Sequence, residues 1–141
     1  MKNALWDRTS YKELIIKRVT RNHMANRTVY VSVTGLILQK PWHIFRFFWH
    51  AIRSARQAQK ADGIISVKFR NINGVRHTLT VWESERAMQA FLYSGAHRDA
   101  IKAFPEIADR ESKTCGFETT TIPDWTAAHK IWQDKGKEYQ R

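Results

Sequence analysis

From Val75 to Phe104 the chain reads VRHTLTVWESERAMQAFLYSGAHRDAIKAF, and the run changes periodicity partway along. In its first third the residues alternate. His77, Leu79 and Val81 point to one side of a strand, and Arg76, Thr78, Thr80 and Trp82 to the other. At Ser84 the period lengthens from two to about 3.6. Ser84 suits an N-cap, and Glu83 and Glu85 place negative charge at the positive end of the helix that follows. Ala87, Met88, Phe91 and Leu92 give that helix an apolar face. Ser94-Gly95 interrupts it, and His97, Ala100, Ile101 and Phe104 restart a stripe that Pro105 is expected to close.

Upstream, Asn73-Gly74 signals a tight type I′ hairpin between this strand and an earlier one, GIISVKFRNI (Gly63–Ile72). Ile65, Val67 and Phe69 of that earlier strand share one face, and Ser66, Lys68 and Arg70 the other. VYVSVTGL (Val29–Leu36) alternates in the same way, with Val29, Val31 and Val33 opposite Tyr30, Ser32 and Thr34. Pro41 fits the first turn of a helix running to about Lys60. Its stripe Ile44, Phe45, Phe48, Ala51, Ile52 and Ala55 is expected to pack on a sheet, with Trp42, Arg46, Trp49, Arg53 and Arg56 opposite. Downstream, KTCGFETTTI (Lys113–Ile122) reads as a fourth strand. Pro123-Asp124 then opens a last helix with Trp125, Ala128, His129 and Trp132 at helical spacing.

The order is β-α-β-β-α-β, the ferredoxin-like arrangement of the α+β class, with an extra C-terminal helix. The valine-rich sides are expected to face the helices. The side holding Ser32, Thr34, Ser66, Lys68, Arg70, Thr78, Thr80, Trp82, Glu118 and Thr120 is then expected to be bare.

With 141 residues, the size prior favours a basic N-terminal extension over residues 1–28 and one domain over 29–141. The extension holds Lys2, Arg8, Lys12, Lys17, Arg18, Arg21 and Arg27 against Asp7 and Glu13, and one or two helical turns are expected around Tyr11–Val19. The single cysteine, Cys115, excludes an internal disulfide and a multi-cysteine metal site. Neither a spanning run nor a signal-peptide core is legible, so the expected location is the cytoplasm, with peripheral contact to a membrane open. The net charge of +11, from 24 Lys+Arg against 13 Asp+Glu, favours anionic partners: an acidic protein, a lipid surface or nucleic acid. Nucleic acid ranks last, because no groove-reading or RNA-binding motif accompanies the charge.

The run TVWES, then AMQAFLYSGAH, then AF resembles the antibiotic-biosynthesis-monooxygenase type of dimeric α+β barrel. Its layout is similar to that of spheroidene monooxygenase and a neighbouring group of bacterial proteins. The resemblance covers roughly Val29 to Ile131. It implies two sheets closing face to face in a homodimer, a cavity beside the helix after VWES, and monooxygenase-like chemistry, with haem as the cofactor in the spheroidene group. His97 is then the candidate axial ligand or general base, and Trp82 the second catalytic candidate. Tyr30, Arg70 and Arg76 are candidates for holding the ligand. The triad of the haem-degrading barrels is missing: Phe91 and Ile101 stand where a tryptophan and a histidine are required, and Ser32 and Thr34 where an asparagine is.

His77 reads as a hydrogen-bonded core histidine. His43 and His50 are two turns apart, too far to chelate one ion. The alternative to an enzyme is a basic adapter of the same fold, docking through Trp42, Arg46, Trp49, Arg53 and Arg56 on an acidic protein complex or a membrane surface.

Overall fold

The computed structural model describes residues 27–138. The basic extension and the helical turns expected around Tyr11–Val19 lie outside the described residues, apart from Arg27 and Thr28. The elements are β1 (Val29–Leu36), α1 (Ile44–Gln59, led in by a 3-10 turn at Pro41–His43), β2 (Ile64–Ile72) and β3 (Val75–Trp82). They continue with α2 (Glu85–Leu92), α3 (Gly95–Ile107), β4 (Lys113–Thr119), α4 (Trp125–Lys135) and a short β5 (Lys137–Glu138). The strands form one antiparallel sheet in the order β2-β3-β1-β4-β5. This is the ferredoxin-like α+β fold, with α4 and β5 added.

Local chemistry accounts for most boundaries. Asn73 and Gly74 both take positive φ, 51° and 84°, as a type I′ turn requires, and the Asn71 side chain accepts from the Gly74 N–H. Ser84 caps α2 by accepting from the Ala87 N–H, and Asp124 caps α4 by accepting from the Ala127 N–H. Pro105 does not close α3, which runs on to Ile107. A proline so near the C-terminus forfeits only one intrahelical bond. Gln39 secures the last turn, donating from its side chain to the Pro105 and Ala108 carbonyls and from its backbone to that of Ile107.

The faces of the sheet are assigned opposite to the sequence expectation. The side carrying Tyr30, Ser32, Thr34, Thr78, Thr80 and Trp82 looks toward α1–α3. The other side, with Val29, Val31, Val33, Ile65, Leu79 and Val81, is not covered by those helices but packs in one cluster with Ala128 and Trp132 of α4. Neither face is therefore bare. Period-two alternation shows which residues share a face, not which layer they meet. A register shift between Ile64 and Ser66 changes the phase of β2, so Val67 and Phe69 join Thr80 and Thr78 on the helix side, while Lys68 and Arg70 pair with Leu79 and His77 on the α4 side.

Two contacts fix α4. Gly35 lies under Trp132, where a Cβ would come within 2.4 Å of the indole ring, and the Trp132 indole N–H donates to the Lys113 carbonyl at 2.9 Å. His77 is fully buried beside this tryptophan, with ring centres 4.6 Å apart, and beside His129 at 5.2 Å. The expectation of a core histidine holds, and its polar contact is weak: neither ring nitrogen makes a well-formed hydrogen bond, and the Thr34 backbone is the polar group that acts on the ring.

α1 is rotated from the expected stripe. Phe47 and Ala58 are its buried residues, with Ile44, Phe48 and Ala51 partly buried beside them, whereas Phe45 and Ile52 face outward. Val31, Val33, Ile65, Val67, Leu79, Val81 and Phe91 are buried, whereas Phe69 and Met88 are only half-buried.

Candidate functional site

Between the sheet and α1–α3 lies a cavity of about 720 Å³, within the range of ligand pockets. Its sheet wall is Tyr30, Ser32, Thr34, Thr78, Thr80 and Trp82, and its helix wall includes Phe47, Ala51, Met88, Phe91 and Phe104. The strand residues leave the space. Small hydroxyl side chains at two inward positions on each of β1 and β3 do not reach the helices as leucines would. Thr34 and Thr114 hydrogen-bond to each other at 3.2 Å, so this polar wall is partly satisfied within itself.

His97, on the first turns of α3, lines the cavity. Its ring stacks at a tilt on Phe91, centres 4.5 Å apart, and Phe91 in turn meets Trp82 at 5.1 Å. His97 Nδ1 lies 3.3 Å from the Leu92 carbonyl, and its backbone N–H donates to the Gln57 side chain at 2.8 Å. Burial lowers the imidazole pKa, opposed by the Leu92 carbonyl, so the ring is neutral near pH 7. With Nδ1–H directed to Leu92, Nε2 carries the free lone pair. Gln57 ties α1 to this junction, since its side-chain amide also donates to the Ser94 carbonyl and hydroxyl. That bridge was not readable beforehand, because a glutamine in mid-helix carries no local signal.

Trp82 is fully buried in the cavity wall, and its only polar atom is committed, the indole N–H donating to Thr80 Oγ1 at 2.9 Å. Tyr30 lies across Gly116, where a Cβ would come within 2.1 Å of its hydroxyl. Its pKa is raised, first by burial and then by Glu85, Cys115 and Glu118. Arg76 lines the cavity with its guanidinium carbon 5.6 Å from the Phe47 ring centre, and burial lowers its pKa. Arg70, expected beside it, is on the α4 side of the sheet and does not reach this space, because the bulge in β2 turns it away. His50 and Ser54 are further wall residues that the sequence reading missed, because an apolar-stripe search passes over a histidine and a serine on an inward face.

The five residues proposed for docking lie together on the outside of α1. Trp42 and Trp49 are 66% and 64% exposed, and Phe45, which the sequence placed in the core, is 77% exposed. Arg53 lies over the Trp49 ring at 5.7 Å and pairs with Asp99 at 3.9 Å, and Arg46 pairs with Glu106. Among the described residues, no cluster of three or more His, Cys, Asp or Glu side chains is placed to hold a metal ion. No helix among them is long and apolar enough to cross a membrane.

Sheet order, paired helices and the cavity between them define the ferredoxin-like class to which antibiotic-biosynthesis-monooxygenase-like proteins belong. Three solved structures illustrate the match. One is a conserved protein of Methanosarcina mazei (TM-score 0.57, 14% identity, covering 68% of this chain and 96% of that one). Another is a candidate antibiotic biosynthesis monooxygenase of Nitrosomonas europaea (0.58, 8%, 64% and 89%). A third is a candidate monooxygenase of Fusobacterium nucleatum (0.60, 13%, 82% and 50%), so this chain spans half of that protein's length. At these identities the likeness is one of fold. No family model matches the sequence, and no curated protein matches it.

Proposed function

We propose that the chain is a small monooxygenase-like protein that binds an apolar, largely aromatic ligand between its sheet and helices α1–α3, with His97 as the reactive side chain. The observation carrying this is the cavity of about 720 Å³, walled by Trp82, Met88, Phe91 and Phe104, with the buried His97 on its helix side. A neutral imidazole with Nδ1 held by a backbone carbonyl is prepared to accept a proton at Nε2 from an acidic O–H or C–H of the ligand. Related folds bearing monooxygenase descriptions support the assignment of class.

Haem is the cofactor implied by resemblance, and the donor set fits it. His97 Nε2 is the nitrogen free to ligate iron, and Arg76, Lys135 and Lys137 are cations on the cavity wall, any of which would suit a propionate. Bound haem would supply oxygen activation, and the protein's part would be to hold His97 and exclude water. The test is the absorption spectrum of protein purified from its native host, followed by titration with haemin and with a hydroxynaphthalene at high salt. The His97→Ala variant should lose the Soret band while keeping the wild-type far-UV dichroism. Absence of stoichiometric haemin uptake would remove the haem assignment, and failure of both ligands would remove the cavity reading.

A second reading is favoured by one observation, the exposure of Trp42, Phe45 and Trp49 on a helix with no acid between Lys40 and Lys60. Aromatic side chains rimmed by arginines suit the headgroup plane of an anionic membrane. Surface ion pairs such as Arg53–Asp99 are weak enough to exchange for lipid phosphate. Co-sedimentation with phosphatidylserine vesicles should be lost at high salt and in Trp42→Ala/Trp49→Ala. Equal recovery on neutral vesicles would sink this reading.

A further inference from the structure

Three polar atoms around the cavity are buried without a hydrogen-bond partner: Arg76 Nε, His50 Nδ1 and Ser54 Oγ. Buried polar groups are nearly always satisfied, so three orphans around one space need a reason. Arg76 comes from β3, opposite Leu36 of β1, and no carboxylate among the described residues pairs with it. His50 and Ser54 are four residues apart on α1, which puts both on the inward side of that helix with Phe47 and Ala51. Burial and the nearby Arg46 and Arg53 keep His50 neutral, while Asp99 opposes them, so it presents N–H and lone pair rather than a second full charge.

We propose that Arg76 is the carboxylate-binding side chain of the cavity, with His50 and Ser54 as further polar points on its α1 wall, and that the ligand is an amphipathic acid: one carboxylate on an aromatic or alkyl body. The guanidinium fork matches a carboxylate in geometry and charge, and the Ser54 hydroxyl and the His50 imidazole supply further donors. Elsewhere the wall offers apolar surface from Leu36, Phe47, Met88 and Phe104 and neutral hydroxyls from the strands. A neutral hydrocarbon would fill that volume and leave the buried Arg76 Nε without a partner. The assignment of ligand class rests on the cavity being the binding site proposed above.

The experiment is calorimetric titration of the full chain with 2-naphthoate and with its neutral counterpart 2-naphthamide, at a salt concentration that suppresses nonspecific anion binding. The wild type should hold naphthoate about tenfold or more tightly than naphthamide. Arg76→Met, which keeps most of the side-chain stem, should abolish that preference while leaving naphthamide binding in place. Arg110→Gln removes the same unit of charge from an exposed turn and should change neither affinity. If both compounds bind equally, or Arg110→Gln weakens naphthoate as much as Arg76→Met does, the carboxylate site is wrong and the cavity reading survives. Should neither compound bind, both fall. Unfolding of Arg76→Met is covered by Ser54→Ala, which should lower naphthoate affinity alone.

Discussion

The two faces of the sheet come from the same strands, residue by residue, and have been put to opposite uses. On the α4 side, valines share the face with Leu79 and His77, Trp132 lies close against Gly35, and Val31, Val33 and Val81 have no exposed surface. On the α1–α3 side the alternate positions carry serine, threonine, tyrosine and tryptophan, and a cavity remains. Tight packing and open space thus fall on opposite faces, although Ile131 and Lys135 of α4 also reach the cavity. One face can be packed as tightly as the residues allow, so the other can afford hollow space and orphaned polar groups.

The largest test of that division is Trp132→Ala. It should destabilise the chain by about 3–5 kcal/mol in urea titration and leave ligand affinity at low denaturant unchanged. A cost below about 1 kcal/mol would mean that α4 is an appendage and not part of the packed face.

Next comes acid. His77 is pushed down to about 4 from 6.5, chiefly by burial and then by His129, with the Thr34 backbone opposing. Between those values the unfolded chain takes up a proton that the folded chain refuses. Stability is therefore complete above about pH 6.5 and falls as the pH drops toward 4, by about 3 kcal/mol in all. His97 and His50 are displaced in the same direction and add to the loss. Denaturation across this pH range should show the slope, and His77→Leu should flatten most of it. An unchanged slope in that variant would place the acid sensitivity on the cavity face instead.

A smaller effect is expected from Thr80→Val, which strands the indole N–H of the fully buried Trp82. It should cost about 1–2 kcal/mol and blue-shift no exposed tryptophan, read by denaturation with fluorescence. Smallest of all, Glu106→Gln breaks the exposed pair with Arg46 and should change stability by less than about 0.5 kcal/mol. Thermal melts at low and high salt would check it.

Much of this was legible before any coordinates. The hairpin at Asn73-Gly74, the cap at Ser84 and the order of elements all rest on short-range chemistry, which a sequence states directly. So did the meeting of Tyr30, Trp82, Arg76 and His97 in one space, because alternation on β1 and β3 groups the first three and helical spacing turns the fourth inward. What was not legible depends on long-range choices. Valine-rich faces pack equally well under α1–α3 or under α4, and nothing local distinguishes the two. One bulge at Ile64–Ser66 sent Arg70 to the far side. Phe45 and Ile52 were read as core because apolar residues were taken to mark the inward face. The helix instead turns Ser54 and His50 toward the cavity beside Phe47, and Phe45 and Trp49 outward.

The position of α4 also bears on the order of the folding reaction. In a barrel whose sheet is completed by a second molecule, the core forms in a bimolecular step, and dilution weakens it. Here a helix from the same chain lies on that sheet face, and Val31, Val33 and Val81 are dry within one chain. The core should therefore close in a unimolecular step, with an unfolding midpoint that does not move with protein concentration. Association with another copy, where it occurs, would add an interface to molecules already folded.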